Sequence, residues 1–147
     1  MPAFARYIGI DYSGAETPTS SLKSLRAFIA IGASEPTEVF PPRGPRRYWS
    51  RRSLAEWLAE RLREGPPTLV GIDHAFSFPR RYFDRYRLGP SWPDFLDDFQ
   101  WHWPTDEEQT YVDFVREGMC GKGAEREGNA RWRRLTETRC GAKSVFH

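Results

Sequence analysis

The sequence predicts an α/β fold: a mixed sheet of three antiparallel strands and one parallel strand, with helices packed on it. Three observations carry this. Residues 6–12 (RYIGIDY) alternate, with Ile8, Ile10 and Tyr12 on one face and Tyr7, Gly9 and Asp11 on the other. Two further strand-like runs, residues 25–31 and 38–40, follow at short spacing, which suits an antiparallel meander. A helical pattern then leads into a fourth run, residues 69–73 (LVGID), and strand, helix, strand implies a right-handed parallel crossover.

The elements follow in order. The first strand runs into the small residues Ser13, Gly14 and Ala15 and a turn-rich segment to residue 21. Pro41 and Pro42 stop the third strand. Ser53 with Glu56 three residues on reads as a capping box. Leu54, Trp57, Leu58 and Leu62 then form one apolar stripe, closed by Gly65, Pro66 and Pro67. The unbroken apolar character of LVGI is that of a buried parallel strand. Past Pro79, residues 81–88 suit a short helix. Ser91 caps another, with Trp92, Phe95, Leu96 and Phe99 on its buried side and Pro104 at its end. Thr105 and Glu108 open a helix to residue 117 with Tyr111, Phe114 and Val115 as its apolar face. Residues 118–128 are rich in Gly and charge, 131–135 suit a short helix, and 142–147 begin a strand or an extended tail.

Length and composition bound the function. The 147 residues suit a single domain, 1–147, that buries about 70% of its unfolded surface. No apolar run approaches the roughly 18 residues of a membrane span. The N-terminal stretch MPAFARYIGID lacks a hydrophobic export segment, so a cytoplasmic protein is expected. Cys120 and Cys140 form no CxxC pair and lie in no His/Cys cluster, which argues for idle thiols and against zinc. A net charge of +2 is not that of a strongly basic nucleic-acid coat. Locally, residues 43–52 (RGPRRYWSRR) set arginines beside aromatic rings. Arg46, Arg47 and Trp49 therefore suit a surface that tracks a phosphate backbone and stacks bases. The competing reading is a solvated loop with snorkelling arginines.

The chemistry rests on a repeated triplet. Gly9-Ile10-Asp11 recurs as Gly71-Ile72-Asp73, and alternation sets Leu69, Gly71 and Asp73 on one face of their own strand. In parallel neighbours with matched register, Asp11 and Asp73 would share one face at one C-terminal edge, where ligands of open α/β sheets often bind. Strands lie about 4.8 Å apart. Two ionised carboxylates at that spacing repel, and a divalent cation relieves the repulsion. Hard oxygen ligands suit Mg²⁺ or Mn²⁺. Each Asp also has a structural reading, as a cap on the turn that follows. His74 beside Asp73 is either a proton carrier or a hydrogen-bonded part of the structure, and Ser13 and Ser77 are hydroxyls near the same edge. No GxSxG, Walker A or GxGxxG motif is present.

Four segments, GIDYSGA from Gly9, GIDHAFSFP from Gly71, RYFDRYRLG from Arg81 and AKSVF from Ala142, together resemble the RNase H-like nucleases called domain of unknown function 429. The resemblance implies an RNase H-like sheet, with Asp11 and Asp73 as metal ligands and catalytic residues. It further implies Asp84 as a supporting catalytic acid and Arg81 as a phosphate contact. Two departures stand out. The Pro expected after the second Asp is replaced by Ala75, Phe76 and Ser77, and the sequence reaches SVFH where the full fold continues into a last strand and an acid-bearing helix. The resemblance thus implies a truncated or a short version of the fold, with a third ligand drawn from Asp84, Asp94, Asp97, Asp98 or Glu107.

Three functions remain open at this level. The first is a Mg²⁺- or Mn²⁺-dependent nuclease or phosphodiesterase. The second is a catalytically silent RNase H-like domain that binds nucleic acid or a protein partner. The third is a relative of the actin and sugar-kinase ATPases, whose first phosphate loop GID-x-S-G resembles. That fold needs a second Gly-rich motif and a longer chain.

Overall fold

A computed structural model describes residues 3–12, 16–42, 47–74 and 77–146. Backbone contacts divide the chain into two compact units, Met1–His74 and Ala75–His147.

The first unit is a four-stranded mixed sheet with one helix. Strands β1 (Arg6–Asp11), β2 (Arg26–Ile31), β3 (Thr37–Val39) and β4 (Thr68–Ile72) lie in the order β3-β2-β1-β4. β1 pairs antiparallel with β2 and parallel with β4, and β2 pairs antiparallel with β3. The crossover from β3 to β4 carries helix α1 (Arg51–Arg63). Alternation gives β1 two faces. Ile8 and Ile10 are buried with Leu22, Leu25, Ala27, Trp49 and Leu54, and Val70, Ile72, Trp57 and Leu58 pack around them. Burying the Leu54 side chain stabilises the unit by about 2 kcal/mol. Gly9, Asp11, Leu69 and Gly71 are exposed.

β4 departs from expectation. It is an edge strand, and the face carrying Leu69 and Gly71 is open, with Leu69 47% exposed. Its apolar run therefore alternates in burial instead of being covered on both faces. The cap of α1 also moves by one turn. Ser50 is the N-cap: its hydroxyl accepts from the Ser53 N–H, and the Ser50 N–H donates to the Ser53 hydroxyl. Two serines make the reciprocal bonds that a Ser and a Glu would make, and the helix gains an extra turn at its start. Leu62 falls off the buried stripe and is 53% exposed.

Arg6 closes the other end of this helix. Its guanidinium is buried and donates to Thr68 Oγ1 (2.9 Å), to the Arg61 carbonyl and to the Glu64 carbonyl (3.3 Å). The carbonyls left unpaired at a helix C-terminus, where the dipole is negative, thus receive a cation. Gly65 turns the chain away at φ +118°, and a Cβ there would stand 3.2 Å from Arg6 Nη1.

The second unit is helical. It comprises α2 (Arg80–Tyr86), α3 (Trp92–His102), α4 (Val112–Arg116), a 3₁₀ turn at Gly123–Arg126 and α5 (Leu135–Cys140). An aromatic cluster forms its core. The Phe78 ring meets Tyr82, Phe95, Phe99 and Phe146 at centroid distances of 4.9–5.6 Å, in edge-on arrangements that aromatic quadrupoles favour. Ser91 caps α3 as expected, but Trp92 and Leu96 are 40% and 46% exposed. The helix expected from Thr105 starts only at Val112, because turns at Glu107 and Thr110 occupy the segment between. Of its apolar face only Val115 is buried. The helix expected at residues 131–135 forms instead at Leu135–Cys140. Residues 142–146 form no strand; the Phe146 ring joins the aromatic cluster. Among the described residues no helix is long and apolar enough to cross a membrane.

Candidate metal and phosphate site

Register brings Asp11 and Asp73 together. In the parallel pair of β1 and β4, Gly9 aligns with Gly71 and Ile10 with Ile72. The ladder continues one step further, because the Asp73 N–H donates to the Ile10 carbonyl at 2.9 Å. The two triplets therefore lie side by side; Asp11 shares the glycine face of β1, and Asp73 follows the last residue of β4, where the His74 N–H turns back to the Ile72 carbonyl at 2.9 Å. Both aspartates are exposed, and a Cβ at Gly9 or Gly71 would meet nothing within 4 Å. The approach to the carboxylates is bare backbone. One residue on, the Tyr12 and His74 rings meet edge to face at 4.8 Å.

The antiparallel partner of Asp11 is Arg26. Direct antiparallel partners share a face, so Arg26 stands beside the Asp11 carboxylate. Its guanidinium lies 5.0 Å over the Phe28 ring and grips Glu38 with two bonds, Nε to Oε1 at 2.8 Å and Nη2 to Oε2 at 2.7 Å. The hydrogen bond to Glu38 is the main reason the Arg26 pKa is raised, with a smaller contribution from the Asp11 charge. The same hydrogen bond holds the Glu38 carboxyl below its ordinary range. Across the sheet end the charges therefore run Glu38, Arg26, Asp11, Asp73.

This donor set suits a hard divalent cation. Mg²⁺ keeps several waters and takes one or two carboxylates plus substrate phosphate, so a pair of protein ligands with open approach is sufficient. Among the described residues no three His, Cys, Asp or Glu side chains gather in metal-binding geometry.

The other expected site residues are distributed as follows. Asp84 and Arg81 belong to the second unit, on α2; Arg81 is exposed, and the Asp84 carboxylate pairs with Arg80 Nε at 2.9 Å. Asp98 is gripped by Arg126 through two bonds of 2.8 and 2.7 Å, which leaves it poorly suited to a metal. Asp94, Asp97 and Glu107 are exposed in that unit. Arg47 is exposed, its guanidinium 5.4 Å from the Tyr48 ring centroid. Arg46, Ser13, Ala75 and Phe76 lie outside the described residues.

Trp49 corrects the sequence reading. It is 2% exposed, its indole N–H donates to the Val39 carbonyl at 2.8 Å, and its ring packs 5.5 Å from Trp57. A base cannot stack on a ring already enclosed by the core. The residues that sequence reasoning missed are Arg26 and Glu38. Alternation in RAFIAI already sets Arg26 and Phe28 on one face, but only the hairpin register brings Arg26 opposite Asp11.

No family model, curated protein or solved structure matches this chain.

Proposed function

We propose that the protein is a Mg²⁺- or Mn²⁺-dependent nuclease or phosphodiesterase with an RNase H-like fold, and that Asp11 and Asp73 are its metal ligands. The matched parallel register of Gly9-Ile10-Asp11 with Gly71-Ile72-Asp73 carries this reading. An antiparallel pair of hairpins, a crossover helix and a parallel fourth strand are consistent with the RNase H-like assignment.

When bound, a divalent ion supplies the positive charge that phosphodiester hydrolysis needs at the scissile group. Asp11 and Asp73 bind and orient it with hard oxygens. Without a cation, two ionised carboxylates about 5 Å apart oppose each other by roughly 1 kcal/mol in water and more at lower dielectric. The bare glycine backbone leaves room for a phosphate chain to approach. The sequence resemblance gives Asp84 the role of a supporting acid and Arg81 that of a phosphate contact, and the basic stretch gives Arg47 the role of a phosphate contact.

The test is cleavage. The purified full chain is offered RNA, DNA, hybrid and junction substrates with Mg²⁺ or Mn²⁺, beside Asp11→Asn and Asp73→Asn. Cleavage that is metal-dependent and lost in both variants supports the proposal. Cleavage undiminished in both removes Asp11 and Asp73 from the site. Nucleic-acid binding without cleavage favours the silent binding domain, and a thermal shift specific to ATP favours the ATPase.

A further inference from the structure

A groove of about 360 Å³ opens at the same end of the sheet as Asp11, where β2 begins and β3 ends. Its walls combine apolar surface from Phe40, Pro41 and Tyr48 with the charged groups of Lys23, Arg26 and Glu38. Phe40 is 62% exposed, although it is a large ring with no place in the core. The opposite wall is firmly set. The Ser21 hydroxyl donates to the Tyr48 carbonyl at 2.9 Å and accepts from the Tyr48 N–H at 3.2 Å, and the Leu22 N–H donates to the Trp49 carbonyl at 2.9 Å. Buried Trp49 backs this wall, which gives the ring a structural task that base stacking does not require.

The groove is continuous with the acid pair through one residue. Arg26 lines the groove and is also the cross-strand partner of Asp11. A ligand that reaches both features must present a flat apolar body to Phe40 and Tyr48. It must also carry an anion to Lys23 and Arg26, and extend a second anion towards Asp11 and Asp73 with their cation. A nucleotide within a single strand has this chemistry: a π-face, a flanking phosphate and a neighbouring phosphodiester. A base inside a duplex does not, because its faces are stacked and its edge is paired.

Resting on the nuclease reading, we infer that this groove binds one unpaired base of a single-stranded nucleic acid, with Arg26 and Lys23 on the phosphate next to the scissile one. Arg26 is a substrate-positioning residue held ready by Glu38. The site thereby selects single strands over duplexes.

Binding is measured by fluorescence anisotropy on the full chain in EDTA, so that no cleavage occurs. The probes are labelled oligo(dT) and oligo(U) of about ten nucleotides, and a duplex of equal length. Phe40 and Lys23 are exposed, so Phe40→Ala and Lys23→Ala keep the fold, which thermal melts verify. The expected result is single-strand binding weakened about tenfold or more by Phe40→Ala. Lys23→Ala is expected to lower the salt slope of binding by about one. The duplex binds more weakly. Wild-type affinity in both groove variants, equal affinity for the duplex, or no single-strand binding by the wild type would each overturn the inference. Loss of cleavage as the nuclease reading fails leaves this binding result intact, so the two failures are distinguishable.

Discussion

Arg26 stands opposite Asp11 across the antiparallel pair of β1 and β2, yet its guanidinium is committed to Glu38. This division of labour matters. A free guanidinium beside Asp11 would compete with a cation for the carboxylate, whereas this one has its Nε and Nη2 turned to Glu38 instead.

Glu38→Gln should therefore weaken Mn²⁺ binding several-fold, because Arg26 is released towards Asp11. The pair is solvent-exposed, so the melting temperature should hardly move. The sign with pH follows from the lowered Glu38 pKa: the grip is present above the ordinary glutamate range near pH 4.3 and is lost as pH falls through the depressed value. Mn²⁺ titrations of the variant and the wild type at neutral pH check the first point, and thermal melts the second.

Trp49 is a core residue, and its substitutions should behave accordingly. Trp49→Ala removes a ring that is 2% exposed and should cost about 3–5 kcal/mol. Trp49→Phe should cost less and leave oligonucleotide affinity within about twofold of wild type, since the indole meets no ligand. Urea denaturation measures the cost and anisotropy the affinity.

Arg6 ties β1 to β4 through Thr68 and ties both to the end of α1. Arg6→Met removes the donors to the partly buried helix-end carbonyls, at a cost of about 1–3 kcal/mol. Gly65→Ala should also destabilise, because φ +118° strains any L side chain and its Cβ would approach Arg6 Nη1. Urea denaturation of both variants, with an unchanged slope, checks this.

In the second unit, Asp98 joins α3 to the 3₁₀ turn through Arg126. The His102 Nδ1–H donates to the Asp98 carbonyl at 2.6 Å, and its Nε2 lies 3.9 Å from Glu125. The Arg126 hydrogen bonds are the main cause that holds the Asp98 carboxyl below its ordinary range, against a smaller opposing effect of burial. A carboxyl with a depressed pKa contributes stability above its unfolded value, near pH 3.9, and loses it as pH falls through the folded value. Asp98→Asn should cost about 1–3 kcal/mol at neutral pH and flatten the acid limb of the stability profile below about pH 4. Tryptophan fluorescence across an acid titration reads this; an unchanged acid limb would show that the pair adds nothing.

What was legible in the sequence follows from which periodicities need tertiary information. The neighbouring placement of the two triplets was legible as a condition, because strand, helix, strand implies a parallel pair; the register that aligns Gly9 with Gly71 is set by the sheet. Arg26 was not, because facing Asp11 depends on the hairpin register, which the long link from residue 12 to residue 25 does not encode. Trp49 was misread because RGPRRYWSRR is basic overall, while an irregular segment has no period to show which single ring turns inward. Ser53 was misread as the cap because Ser50 offers the same chemistry one turn earlier. The apolar spacing of Tyr111, Phe114 and Val115 was real, but only Val115 found a packing partner, and tertiary packing decided the helix length.

Metal binding at the paired triplets tests the assignment of Asp11 and Asp73 most directly. Isothermal calorimetry of Mn²⁺ into the wild-type chain, Asp11→Asn and Asp73→Asn measures it. One saturable site in the wild type, lost in both folded variants, is the expected result. Equal Mn²⁺ affinity in all three proteins, or none in the wild type, would contradict the assignment.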